Sequence, residues 1–197
     1  MKPYAILDTS NTGHTCQYAH LLGDCLGLPV YSLPDANEQL PKGSPVIYLG
    51  WIHASHIKGY SGAAKRFDIC AVCGVGLCDT GTMTSEVRTV TSIPENIPLF
   101  TLLGGLERSK LKGMDKLMIS MLTKGLASQK QRSAQDDRML ELLNRDGSYV
   151  SPENYLNFCN GTGRGSYESA KESIPDRYID VSDHWPFCWW ALPQIHR

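Results

Sequence analysis

The chain alternates short, fully apolar runs with stretches whose apolar residues recur at three- and four-residue steps. Runs of that kind are the strands of a sheet covered on both faces, where neither side of a strand meets water. Residues 3–9, 29–33, 45–50, 68–76 and 98–103 read as five such strands. Between the first two, residues 15–26 predict a helix with Tyr18, Ala19, Leu22 and Leu26 near one face, ended by Gly27. Residues 59–67 predict a second helix. Residues 34–43 hold two prolines and a glycine among polar positions, and read as a loop or at most one helical turn. Strands alternating with helices predict an α/β fold with a parallel sheet, right-handed crossovers and a ligand at the carboxyl ends of the strands.

Beyond residue 103 the pattern changes. Residues 111–126 form a helical stretch in which Met114, Leu117, Met118, Met121, Leu122 and Leu126 recur at helical spacing, with Lys112, Lys116 and Lys124 among them. Such a stripe fits a helix lying on a lipid surface, but more simply one that covers the sheet, and the second is the expectation taken here. Residues 134–144 predict another helix. Ser151-Pro152-Glu153-Asn154 is a helix start, with Tyr155, Leu156 and Phe158 expected to face inward. Residues 160–166 contain no apolar side chain and read as a Gly-rich linker to a tail holding three of the four tryptophans. The chain therefore divides into a domain over 1–159 and a linker with a Trp-rich tail over 160–197. That tail could close over a ligand, dock a partner, join two copies or pack back on its own domain.

Composition narrows the classes. With 197 residues, 42% hydrophobic and 20% charged, the chain can bury a full core. Its net charge of −1 creates no large field to attract nucleic acid or an anionic membrane. No stretch approaches a membrane span, and the apolar run before Asp8 is too short for a secretory signal, which makes the cytoplasm the expected compartment. The seven cysteines are odd in number and scattered, unlike a disulfide framework. Cys70 and Cys73 have redox or half-zinc spacing, yet lie in a strand-like run where small buried side chains are the simpler reading.

The segment that names a ligand class is Asp8-Thr9-Ser10-Asn11-Thr12-Gly13-His14-Thr15, between the first strand and the first helix. Hydroxyls and backbone N–H groups at a helix N-terminus suit a phosphate. No Gly-Lys-Ser/Thr follows, as a P-loop needs, and the three glycines of a dinucleotide fingerprint are absent. A helix cap using Ser10 or Thr12 is the plainer alternative.

Ser10-x-Thr12-Gly13-x-Thr15 resembles the T/S-x-T-G-x-T phosphate loop of the flavodoxin-like family. Leu49-Gly50-Trp51-Ile52-His53 resembles the I-G-A-S-I-R segment of that family's menaquinone-dependent protoporphyrinogen dehydrogenase-like subgroup. Leu103-Gly104-Gly105-Leu106 and Gly113-Met114-Asp115-Lys116-Leu117-Met118 resemble the subgroup's strand-five end and D-R-F-M helix. The likeness covers roughly residues 3–159. It implies a three-layer flavodoxin-like fold with strand order 2-1-3-4-5 and helices on both faces. It also implies non-covalent FMN: phosphate on Ser10, Asn11, Thr12, Gly13, His14 and Thr15, and rings flanked by Gly50, Trp51, Ile52 and His53. Gly74, Val75, Gly76, Leu77 and Asp79 would surround the pyrimidine edge. Trp51 is the expected stacking residue, and no catalytic side chain or metal ligand is singled out. The implied activity is a flavin oxidoreductase or electron-transfer protein with a redox partner of unknown identity. A shuttle to a protein partner is one alternative; a non-enzymatic module holding another phosphate-bearing ligand is the second. His14, the short second crossover and the tail depart from the family pattern. Net charge departs too, since shuttle flavodoxins are strongly acidic, and this tilts the expectation toward an oxidoreductase acting on a small, quinone- or porphyrin-like donor or acceptor.

Overall fold

A computed structural model describes residues 2–111, 113–151 and Asn154. The expectations for Tyr155, Leu156, Phe158, the linker and the Trp-rich tail lie outside those residues.

The first half alternates as expected. The order is β1 (Ala5–Thr9), α1 (His14–Leu26), β2 (Val30–Ser32), α2 (Leu33–Gln39), β3 (Pro45–His53) and β4 (His56–Ile57). Next come α3 (Tyr60–Arg66), β5 (Asp68–Gly76), α4 (Thr84–Thr91) and β6 (Leu99–Leu103). β2, β1, β3, β5 and β6 pair in that order, all parallel. Counting only these five, the order is the expected 2-1-3-4-5 of a flavodoxin-like sheet.

Period-two alternation sorts the strand residues into two cores. On one face Ile6, Ile47, Leu49, Cys73, Val75 and Leu102 pack against Tyr18, Ala19 and Leu22 of α1. The buried Tyr18 hydroxyl crosses to donate to the Leu103 carbonyl at 2.7 Å. On the other face Leu7, Val46, Tyr48 and Val72 pack against Ala36 of α2, Ala63 of α3 and Val87 of α4. The result is three layers. β5 skips Cys70 in its pairing with β3, a bulge that puts Ile69 and Val72 on one face and Ala71, Cys73 and Val75 on the other. Burial pushes the Cys70 and Cys73 thiols above the ordinary value, away from the thiolate that redox chemistry uses.

Four elements differ from the sequence reading. Residues 33–39 form a helix rather than a loop: Ser32 caps it by accepting from Asp35 N–H, and Pro34 sits in the first turn where its missing N–H costs nothing. α4 was not anticipated, because it buries only Val87 and Thr91 and begins and ends on left-handed Met83 and Ser92. β3 runs three residues past Gly50 and turns back as β4 through Ala54 and Ser55, both at positive φ. Trp51, Ile52 and His53 therefore stand on a β-hairpin, not on a loop.

The fourth difference concerns the Met-rich helix. After β6 come β7 (Gly105–Leu106), α5 (Gly113–Ser128), α6 (Ala134–Asn144) and β8 (Gly147–Ser148). β7 and β8 form a small antiparallel ladder of their own. α5 and α6 pack with it around Leu106, Leu126 and Leu143, a third core beside the sheet rather than on it. Met114, Leu117, Met121 and Leu122 are exposed, so the expectation that this stripe covers the sheet is corrected: only Leu126 of the stripe is buried. Sequence periodicity gives the stripe but not the partner it meets.

Candidate functional site

The carboxyl ends of β1, β3, β5 and β6 open on one side of the sheet, and α5 stands across from them. Between them lies a half-open cleft of about 90 Å³. Asn11, Thr12, His14 and Thr15 come from the β1–α1 loop and first helical turn, and Trp51 and Ile52 from the hairpin. Val75, Gly76 and Leu77 come from the end of β5. Gly104, Gly105 and Leu106 follow β6, and Leu111, Asp115, Met118 and Ile119 belong to α5 and its approach.

The loop is fixed from below. Gly13 takes a left-handed φ of 103° and its N–H donates to Ser10 Oγ at 3.1 Å, which turns the chain into α1. No side chain caps α1. The N–H groups of His14 and Thr15 begin the helix at the cleft, with the positive end of the helix dipole behind them. Under the loop, Tyr48 donates to the Lys58 carbonyl at 2.6 Å, and its oxygen lies 2.8 Å from Thr9 Oγ1, which can donate in turn. Gly59 makes that cluster possible. A Cβ there would stand 2.6 Å from Thr9 Oγ1 and closer still to the Tyr48 hydroxyl, at a φ of 82°.

His14 is the polar centre of the wall. The residue is 3% exposed. Its Nδ1 lies 3.0 Å from Thr12 Oγ1, while the buried Nε2 has no hydrogen-bond partner. Glu107 Oε1 is 3.9 Å from Nε2, beyond hydrogen-bond range. Burial pushes the imidazole below its ordinary pKa, and nearby Glu107 only partly opposes this, so the ring is held neutral. Gly105 permits the arrangement, since a Cβ there would meet His14 Nε2 at 2.6 Å.

Asp115 ties α5 to the cleft. It accepts from Asn11 Nδ2 at 3.2 Å, and its other oxygen is 3.5 Å from His53 Nε2. Trp51 meets His53 edge-on, with ring centroids 5.3 Å apart, and Lys58 Nζ lies 5.9 Å from the indole centroid. Among the described residues no lysine or arginine lines the cleft, and His14 and Asp115 are its titratable groups.

The structure brings together Asn11, Thr12, His14, Thr15, Trp51, Ile52, Val75, Gly76 and Leu77 from the sequence-based set. The remaining members stand off the wall. Ser10 and Gly13 shape the loop. Gly50 and Gly74 make room for Ile57 and Ile52 rather than for a ligand. His53 faces Asp115, and Asp79 lies 3.6 Å from Arg138. The sequence reading missed α5 as a wall. Its signal was Asp115, a lone carboxylate in the first turn of a Met-rich stripe, with no local pattern to reveal its partners Asn11 and His53. Gly104 and Gly105 lack Cβ side by side, which is the sequence sign of a close approach at this wall. Comparison of the chain with protein-family models, curated proteins and solved structures finds no match.

Proposed function

We propose that the cleft binds FMN without a covalent bond and that the protein is a flavin-dependent oxidoreductase. One observation carries this reading. The Ser10–Thr15 loop meets the uncapped N-terminus of α1 at the carboxyl end of β1, where the buried His14 Nε2 has no partner of its own. The backbone N–H groups of His14 and Thr15, a dipole end and the Thr12 and Thr15 hydroxyls form a donor set suited to a phosphate. The apolar wall from Trp51, Ile52, Val75, Leu77 and Leu106 suits a flat heterocycle and excludes water from it. Bound FMN would supply electron transfer, which no side chain here provides. The residues' part is to hold the phosphate, orient the rings and keep the site dry.

The cleft, about 90 Å³ in volume, is open on one side, so the rings of a flavin would extend toward that opening. That small volume favours a second reading: a module that binds a smaller phosphate-bearing ligand and performs no redox chemistry.

Titration of the purified chain with FMN, with riboflavin as the phosphate-free control, separates the two. Quenched flavin fluorescence, a yellow protein and a clear preference for FMN are expected. Trp51→Ala should weaken FMN about tenfold, the loss of one aromatic contact of about 1.4 kcal/mol. A colourless protein that takes up no FMN overturns the proposal. Thermal stabilisation by inorganic phosphate but not by FMN establishes the second reading. Turnover of NAD(P)H or a quinol by the loaded protein alone favours an enzyme over a shuttle.

A further inference from the structure

Asp115 is, among the described residues, the one carboxylate that lines the cleft. An acidic residue in a first helical turn complements the helix dipole wherever its side chain points. This one is turned into the cleft, where its Oδ2 accepts from Asn11 Nδ2 at 3.2 Å. Its Oδ1 stands 3.5 Å from His53 Nε2, long for a hydrogen bond. An ionised carboxylate offers about four lone-pair sites and no proton. The Asn11 amide takes one of them, so the group keeps acceptor capacity toward the cleft.

The opposite wall has the complementary chemistry. Thr12, Thr15 and the start of α1 supply donors, and the buried His14 Nε2 is unpartnered. A phosphate drawn to that wall is repelled by Asp115, and an apolar ring laid over Asp115 strips its water and returns no hydrogen bond. Neither part of such a ligand accounts for a carboxylate here. Hydroxyl groups do, because O–H donors form short, charge-assisted hydrogen bonds to a carboxylate, and two neighbouring hydroxyls engage both of its oxygens. Position agrees with this. Asn11 joins Asp115 to the phosphate loop, and one helical turn on, Met118 and Ile119 continue the wall as apolar surface. The carboxylate stands between the donor-rich loop and that surface.

We propose that Asp115 accepts hydrogen bonds from hydroxyl groups on the chain that joins the ligand's phosphate to its remainder. The cleft then selects a phosphate ester of a polyol over a bare phosphate or a phosphorylated hydrocarbon. This selection rests on the phosphate reading of the Ser10–Thr15 loop, and it applies to a flavin and to a smaller phosphate ester alike. In FMN the hydroxylated chain is the ribityl group.

Fluorescence titration of the full chain compares FMN with a flavin carrying a phosphopentyl chain, which keeps the phosphate and the rings and lacks the hydroxyls. FMN should bind about tenfold more tightly than that analogue. Asp115→Ala should weaken FMN about tenfold and leave the analogue's affinity unchanged. Equal affinity of the unaltered chain for the two flavins overturns the proposal, whether or not the variant folds. An equal loss of both flavins in a folded variant overturns it too, and makes Asp115 a tie for α5 alone. If neither flavin binds, the flavin reading fails by itself, and melting temperatures with ribitol 5-phosphate and with pentyl phosphate decide the proposal. Stabilisation by ribitol 5-phosphate alone supports it. Equal stabilisation by both, or by neither, overturns it.

Discussion

Two buried titratable residues at the end of β1 work in opposite directions. Asp8 is buried, and burial, with the Asp35 carboxylate adding to it, raises its pKa from 3.8 to about 6. A folded-state pKa above the unfolded value means the protonated form is the stable one. Its contribution is full below about 3.8 and is lost as pH rises through about 6. Asp8→Asn should therefore raise stability by about 2 kcal/mol at neutral pH and leave it unchanged near pH 4, as read from urea denaturation. His14 has the reverse sign. Its lowered pKa means that the free protein loses stability as pH falls below the unfolded value of 6.5. A phosphate beside Nε2 would favour the imidazolium, so FMN binding should take up a proton. FMN affinity should rise severalfold between about pH 8 and about pH 6.5, and His14→Asn should flatten that dependence in calorimetric titrations.

At the scale of elements, the third core centres, among the described residues, on buried Leu106, Leu126 and Leu143 with Ile119, Met139 and Leu140 packed against them, and the cap of α6 adds to its stability. Ser133 forms a capping box with Asp136 at the start of α6, each side chain accepting from the other residue's backbone N–H. Ser133→Ala should cost about 1 kcal/mol. Amide exchange should show that loss over residues 113–148, while β1, β3 and β5 stay protected. Uniform loss across the sheet would mean that the two parts open together.

At the scale of the molecule, the sheet was legible because both of its faces are covered. Apolar runs such as Pro45–Leu49 and Ala71–Val75 leave no other assignment. The helices of the first half were legible where they bury a full face, as α1 does through Tyr18, Ala19 and Leu22. They were missed where caps and backbone geometry carry them, as at Ser32 and Met83. The loop from Ser10 to Thr15 was legible as one wall of the cleft because it is local in sequence. The α5 half was not. Asp115 meets Asn11 across more than a hundred residues, and no periodicity reports such a pairing. The Met-rich stripe shows the same limit, since its spacing is identical for a helix packed on the sheet and for one facing outward.

The cleft lies on a seam: one wall is the end of the sheet, and the other belongs to α5 and the leucine core beside it. A wall of that kind sets rates as well as affinities. Where the lesser core opens before the sheet does, entry and exit would follow its opening frequency. Asp115 would then act as a latch through its two partners, Asn11 and His53.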